Sequence, residues 1–357
     1  MKVYNFSAGP STLPQDALLS AQKNLLDYEG CGISVMEMSH RSKVYEAIHN
    51  ECIALFRELL NIPEDYKVLF MTGGATTQFE AIPLNLLVKG RADYVVTGNF
   101  ASNAYKLAGK YGDIAVAASS EDKNFTYIPK LNADSFRKDI DYVHITSNNT
   151  IFGTKYSTFP TTNSTLVADM SSNILSEEVD VKKFGLIYAG AQKNIAPAGL
   201  TLVIIKESLI GTAMKYCPKM LEYKTYSESD SLYNTPPAFT IYMAMLTLRW
   251  LKSLGGVKAI NKLNLEKSNM LYNFIDNSTF YTNKVVKADR SIMNIPFTTP
   301  NKDLDATFIK EAATNGLITL AGHKLVGGMR ASIYNAMELD GIKALIAFMK
   351  KFETTNR

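Results

Sequence analysis

Apolar positions along the chain alternate between two periods. Short runs rich in β-branched and aromatic residues, bounded by turn residues, occur at 68–71, 94–97, 142–146, 165–168, 186–188 and 200–205. Continuous apolar runs of this length predict buried strands rather than half-exposed ones. Between them, residues 44–60, 78–87 and 101–111 carry apolar side chains at helical spacing. Strands alternating with helices predict an α/β fold: a mainly parallel central sheet with helices on both faces. Ligands of such sheets sit at the carboxyl ends of the strands. A helix is predicted over 239–254, stopped by Gly255 and Gly256, and another over 258–274. The pattern then becomes strand 291–297, helix 304–315, strand 329–333 and a last helix from 340, which reads as a smaller α/β C-terminal domain. The expected division is an extended N-terminal segment, 1–15, joining the small domain, then a large domain, 16–257, and the small domain, 258–357.

Composition narrows the class. Apolar residues make up 46% and charged residues 20% of the 357 positions, so the chain has enough apolar surface for a packed core. A net charge of +4 is too small and too dispersed to mark a nucleic-acid binder. Cys31, Cys52 and Cys217 form no CxxC pair, which argues against a disulfide framework or a metal site. The N-terminus shows no apolar stretch after Lys2, and no run approaches the roughly 20 apolar residues of a membrane span. The expected setting is the cytoplasm, with no membrane and no nucleic acid as partner.

Candidate chemistry collects at strand ends. Lys193 follows strand 186–188 in Tyr188-Ala-Gly-Ala-Gln-Lys-Asn-Ile-Ala-Pro-Ala-Gly-Leu, among small residues. Burial lowers a lysine pKa and makes the amine a nucleophile for an aldehyde. Taken alone, a loop lysine is more often a solvated surface residue. Asp169 ends strand 165–168, and a carboxylate there is costly unless paired; by itself it is more often a turn or capping residue. The two together, at neighbouring strand ends, fit pyridoxal phosphate (PLP), whose pyridine nitrogen needs a carboxylate and whose aldehyde needs an amine. A third strand end, Met71-Thr-Gly-Gly-Ala-Thr-Thr-Gln, opens a helix through Gly73 and Gly74 and suits a phosphate. It carries neither the GxxxxGK[ST] nor the GxGxxG signature.

The strings Asn5-Phe-Ser-Ala-Gly-Pro, Met38-Ser-His-Arg-Ser, Thr72-Gly-Gly, Thr97-Gly-Asn, Ala168-Asp-Met-Ser-Ser, Ala189-Gly-Ala-Gln-Lys-Asn and Gly327-Gly-Met-Arg-Ala-Ser-Ile-Tyr-Asn-Ala resemble the phosphoserine aminotransferase family, within the class V, fold type I PLP enzymes. The resemblance implies transfer of an amino group from L-glutamate to 3-phosphohydroxypyruvate, and a homodimer with shared active sites. Lys193 resembles the Schiff-base lysine and Asp169 the pyridinium partner. Thr150 resembles the ligand of the cofactor's phenolic oxygen, and Phe100 occupies the ring-stacking position, where relatives often carry tryptophan. Ala75, Thr76 and Gln192 match the phosphate cradle, and Asn234 and Thr235 match residues that reach it from the neighbouring subunit. Arg330 resembles the α-carboxylate arginine, with Ser7 in the matching N-terminal loop. His40, Arg41, His323 and Lys324 match the substrate-phosphate cluster. Many relatives have arginine at the place of Lys324 and some at that of Thr76, and lysine lacks the bidentate fork. The other readings are a different class V transaminase, a cysteine desulfurase or a non-catalytic PLP-fold protein. The cysteines have no supporting motif for a desulfurase, and a non-catalytic member would lack Lys193 or Asp169. A four-carbon phospho-keto acid of pyridoxine synthesis stays open as a further substrate.

Overall fold

The structure, a computed structural model, describes residues 2–356. Its strands are β1 (Tyr4–Asn5), β2 (Tyr66–Thr72), β3 (Arg91–Val96), β4 (Asp113–Ser119), β5 (Tyr142–Thr146), β6 (Thr165–Asp169), β7 (Leu186–Gly190), β8 (Leu200–Lys206), β9 (Asn294–Phe297), β10 (Leu317–Ile318) and β11 (Met329–Ser332). Its α-helices are α1 (Gln15–Lys23), α2 (Lys43–Leu60), α3 (Gln78–Leu86), α4 (Asn99–Ala108), α5 (Tyr223–Glu228), α6 (Ala238–Ser253), α7 (Gly256–Asn277), α8 (Lys302–Thr314) and α9 (Leu339–Asn356). The α/β reading holds, and the helices and strands fall close to the spacings that predicted them.

Seven strands form the central sheet in the order β2-β8-β7-β6-β5-β3-β4. Strands β7, β6, β5, β3 and β4 run parallel, and β8 lies antiparallel between β7 and β2. Side chains alternate between two apolar layers, as the period of two requires. On one face Phe70, Ile187, Leu202 and Ile204 pack against Ile48 and Phe56 of α2 and Ile241 and Leu248 of α6. On the other Leu69, Met71, Tyr188, Val203 and Ile205 pack against Phe79 and Ile82 of α3 and Ala104 of α4. From Leu200 to Ile205 every residue of β8 is buried. Each large aliphatic side chain there contributes about 1.5–3 kcal/mol relative to exposure. Helix α2 begins at Ser42, whose hydroxyl accepts the Tyr45 N–H, and ends at Asn61 in a left-handed conformation (φ 49°).

Strand β4 was not among the predicted strands. It reads Asp-Ile-Ala-Val-Ala-Ala-Ser, lies at a sheet edge and keeps every residue at least partly exposed, so its apolar signal is weak.

A second core gathers Leu271 and Ile275 of α7, Ile295 and Phe297 of β9, Phe308 of α8, Met329 of β11, and Phe348 and Phe352 of α9. Phe6 belongs to it, because β1 pairs in parallel with β10. Helix α7 spans both cores: Val257 and Ile260 pack in the first, Leu271 and Tyr272 in the second. Among the described residues, no helix is long and apolar enough to cross a membrane.

Candidate active site

The carboxyl ends of β5, β6 and β7 open into a cavity of about 230 Å³. Lys193 reaches it from a tight turn. The carbonyl of Ala191 accepts the N–H groups of Lys193, Ile195 and Ala196, at 2.7, 3.2 and 2.9 Å. The Lys193 amine donates to Thr150 Oγ1 at 2.8 Å and lies 5.7 Å from the centre of the Phe100 ring. Burial lowers its pKa from 10.5 to about 8; the Asp169 carboxylate opposes the shift, and Arg330 adds to it. Asp169 ends β6, buried at 6% exposure, and its Oδ1 accepts the Ser171 N–H at 2.9 Å.

Thr150 sits in a loop that closes on itself: Asn149 N–H donates to the Thr154 carbonyl at 2.7 Å, and Gly153 N–H to Asn149 O at 2.8 Å. Gly153 adopts φ +76°, and a Cβ there would lie 2.3 Å from Pro296 Cδ of β9. Only glycine lets this loop press against the second core. The Thr150 carbonyl accepts Arg330 Nη1 at 3.1 Å. Arg330 Nε is buried without a partner among the described residues. Part of the guanidinium edge is therefore unspent, the condition for pairing with a carboxylate.

His323 enters from the Gly322–Gly328 loop, which Gly322 N–H closes on Gly328 O at 2.8 Å. Its Nδ1 accepts the Leu325 N–H at 3.3 Å, which leaves the proton on Nε2. Burial, then Arg330 and Lys324, hold its pKa below the usual value, so the three side chains share one electropositive corner. Opposite, Gly74, Ala75 and Thr76 lead into the N-terminus of α3, whose N–H groups favour an anion. Gly190 leaves room for Gln192, since a Cβ there would lie 2.7 Å from Gln192 Oε1. The N-terminal segment crosses the same rim: Ser11 Oγ donates to Lys193 O at 2.5 Å, and Tyr334 OH donates to Ala8 O at 2.8 Å.

Of the residues singled out from the sequence, Ala75, Thr76, Phe100, Thr150, Asp169, Gln192, Lys193, His323 and Arg330 line this one cavity. Ser7 is adjacent to lining residues Ala8 and Gly9 but is not on the wall. Lys324 is exposed beside His323. His40 and Arg41, before α2, and Asn234 and Thr235, before α6, do not line the cavity. Sequence reasoning had not singled out Thr146, Asn148, Ser171 and Ser172, which line it too. The signal was present: the two serines directly follow Asp169, and Thr146 and Asn148 alternate up to Thr150.

The Aminotransferase class-V family profile matches residues 3–345. The phosphoserine aminotransferase of Bacillus thuringiensis subsp. konkukian is 56% identical over 358 aligned residues, covering 100% of this chain and 99% of that protein. The solved phosphoserine aminotransferase from Bacillus circulans subsp. alkalophilus superposes with a TM-score of 0.97 at 46% identity, covering 100% of this chain and 99% of that one. The PLP-bound phosphoserine aminotransferase from Trichomonas vaginalis does so with a TM-score of 0.94 at 34% identity, covering 98% and 100%. The chain belongs to the class V aminotransferases and, within them, to the phosphoserine aminotransferase family.

Proposed function

We propose that the chain transfers the amino group of L-glutamate to 3-phosphohydroxypyruvate, giving O-phospho-L-serine and 2-oxoglutarate, with pyridoxal phosphate as cofactor. One observation carries the assignment of the site: a buried amine held by Thr150 faces the same 230 Å³ cavity as the Asp169 carboxylate and the unspent edge of Arg330. The lining fits the cofactor group by group. An amine suits its aldehyde, a carboxylate its ring nitrogen, the Phe100 ring its face, and the α3 N-terminus with Gln192 its phosphate. When bound, pyridoxal phosphate supplies an electron sink for negative charge at the substrate α-carbon.

Lys193 would hold the cofactor's aldehyde and, as a free amine, would take the proton from the substrate α-carbon; its lowered pKa leaves it a competent base near neutral pH. Thr150 aims that amine. Asp169 holds the proton on the ring nitrogen. Arg330 pairs with the α-carboxylate common to both substrates. His323 and Lys324, with His40 and Arg41, receive the phosphate of the keto acid. Lys324→Ala is expected to raise KM for phosphohydroxypyruvate at least about tenfold while moving KM for glutamate less than twofold. Initial rates with each substrate varied in turn decide this; equal rises would remove Lys324 from the phosphate role.

The same reading makes the chain a cytoplasmic homodimer with a large domain, 16–257, and a small one, 258–357. Three free cysteines support a reducing compartment. Leu18, Leu19, Leu26 and Met36 are 48%, 53%, 87% and 58% exposed along one stretch, as a subunit contact requires. Asn234 and Thr235, lying off the cavity wall, would serve the partner's cofactor phosphate. Mixing Lys193→Ala chains with chains in which Asn234 and Thr235 are both alanine should then give more activity than the sum of the two. A mixed dimer has one site with both functions intact. A purely additive result would place these residues in their own subunit's chemistry or in none.

A further inference from the structure

A buried polar chain joins the walls of the cavity across the two cores, and the chemistry above makes no use of it. Asn148 and Ser172 line the cavity beyond β5 and β6, and Ala8 lines it from the N-terminal segment. Behind them lie Ser291, Asn294 of β9, Ser332 of β11 and Tyr334. Apart from Ala8, each of these residues is 2% exposed or less. Register sets Ser332 opposite Asn294 and Arg330 opposite Pro296. Arg330 and Ser332, two residues apart, share a face of β11. Their N–H groups are spent away from β9, on Leu320 O at 2.7 Å and Phe6 O at 3.3 Å. The Asn294 amide, which donates to Ser332 Oγ at 3.0 Å, is what ties the Ser332 row together.

The donors of this chain can be assigned one by one. Ser291 Oγ accepts the N–H groups of Met293 and Asn294 at 3.0 and 2.9 Å, so its own O–H goes to Asn148 Oδ1 at 2.5 Å. The Asn148 amide then donates to Ser172 Oγ at 2.8 Å and to Asn294 Oδ1 at 2.9 Å. With its oxygen so engaged, Asn294 presents its amide hydrogens to Ser332 Oγ and, at 3.1 Å, to the Tyr334 oxygen. Tyr334 is left with one O–H, which it donates to Ala8 O at 2.8 Å. Turning over either asparagine amide alone would set like group against like, so both orientations are fixed. Apolar side chains would fill this space without any cost of desolvation. A fully paired polar network instead rigidifies its surroundings and specifies one arrangement.

We propose that Asn294 is a positioning residue for the substrate: through Ser332 it holds β11, and with it the Arg330 guanidinium, at a fixed spacing from the Asn148–Ser172 wall. Asn294 does not itself line the cavity and acts through Arg330. The proposal rests on the reading of Arg330 as the partner of the α-carboxylate.

The full-length protein loaded with pyridoxal phosphate is titrated calorimetrically with 2-oxoglutarate, which has no amine and so binds without turnover. Asn294→Leu, of similar volume, is expected to raise the dissociation constant roughly tenfold, because small misplacements of a positioning group are costly. Ser332→Ala should raise it in the same direction, about threefold, since it removes only the bond to the strand of Arg330. Arg330→Gln is the reference, with an expected rise of roughly a hundredfold. The deciding comparison is Asn294→Leu made in the Arg330→Gln background. With the guanidinium gone it should change the constant less than about twofold, because two residues that act through one contact do not add. An equal fold-change in both backgrounds would mean a general loosening of the site and overturns the proposal. So do values within about twofold of the wild type for both Asn294→Leu and Ser332→Ala, provided that Arg330→Gln weakens binding; the role of Arg330 then stands. Unchanged binding in Arg330→Gln overturns that role and the proposal with it. Should Asn294→Leu not fold, Ser332→Ala in the two backgrounds decides by the same comparison.

Discussion

Lys193→Ala should lower the rate of glutamate-dependent transamination by at least about 10⁴-fold, because the residue is both the attachment point and the proton carrier. The size of the effect follows from the amine's setting. Moving its pKa from 10.5 to about 8 raises the fraction of free amine at pH 7 roughly 300-fold over an ordinary lysine. That preparation works against folding. The unfolded chain binds the proton with a pKa near 10.5 and the folded chain with one near 8, so stability is reduced by the full amount below pH 8. The reduction disappears as pH rises from 8 to 10.5. Lys193→Met should therefore stabilise the apoprotein at pH 7 by about 2–3 kcal/mol, somewhat less than the full 1.36 kcal/mol per pKa unit because the cavity wall keeps partial solvent access. The gain should vanish near pH 10.5. Urea unfolding of both apoproteins at pH 7 and pH 10.5 measures this, and a methionine variant less stable than wild type at pH 7 would refute it. Competitive acylation of the apoprotein gives the same pKa independently: labelling of Lys193 should reach half its plateau near pH 8.

Lys193 and Asp169 were legible in the sequence because each follows an apolar strand, where an isolated charge needs a reason. The sheet was legible for a related cause. Runs such as 200–205 leave no polar position for a surface. Strand β4 escaped because alternating alanines at an edge bury little. Thr146 escaped differently: at the end of a β-branched strand it reads as core, and only the register that sets it beside Asp169 brings it to the cavity. Register is long-range information that one strand's composition does not contain. The substrate-phosphate residues were nameable only through resemblance. Of these, His323 lines the cavity, whereas His40 and Arg41 stand off it.

Lys267 was not singled out at all, and its replacement by methionine is expected to have the opposite sign to that of Lys193. Helical period places it on the buried side of α7 with Ile260, Asn264, Ser268 and Leu271, but three polar residues in that stripe dilute the apolar signal. The residue is 0% exposed. Its ammonium donates to the carbonyls of Ile333, Tyr334 and Met337 at 3.2, 3.0 and 3.0 Å, with Asn335 O at 3.5 Å. Burial alone pushes its pKa down to about 7, and the ring of carbonyls favours the charged form against that push. The segment it gathers follows β11, directly beyond Arg330. Within it Tyr334 holds Ala8 at the cavity rim, and Asn335 N–H donates to Asn194 Oδ1 at 3.0 Å, next to Lys193. Methionine has nearly the same length and no donor. It would leave those carbonyls buried and unpaired, at a cost of about 3–5 kcal/mol. The freed segment should also raise KM for both glutamate and the keto acid together, since Arg330 and the N-terminal rim serve both. Urea unfolding and two-substrate initial rates test this; a loss below about 1 kcal/mol would mean that the carbonyls find other donors. The contrast between the two lysines is one of acceptors. Among the described residues the Lys193 amine has a single hydroxyl for company and stays reactive, whereas Lys267 is surrounded by carbonyls and is spent on holding the site's frame.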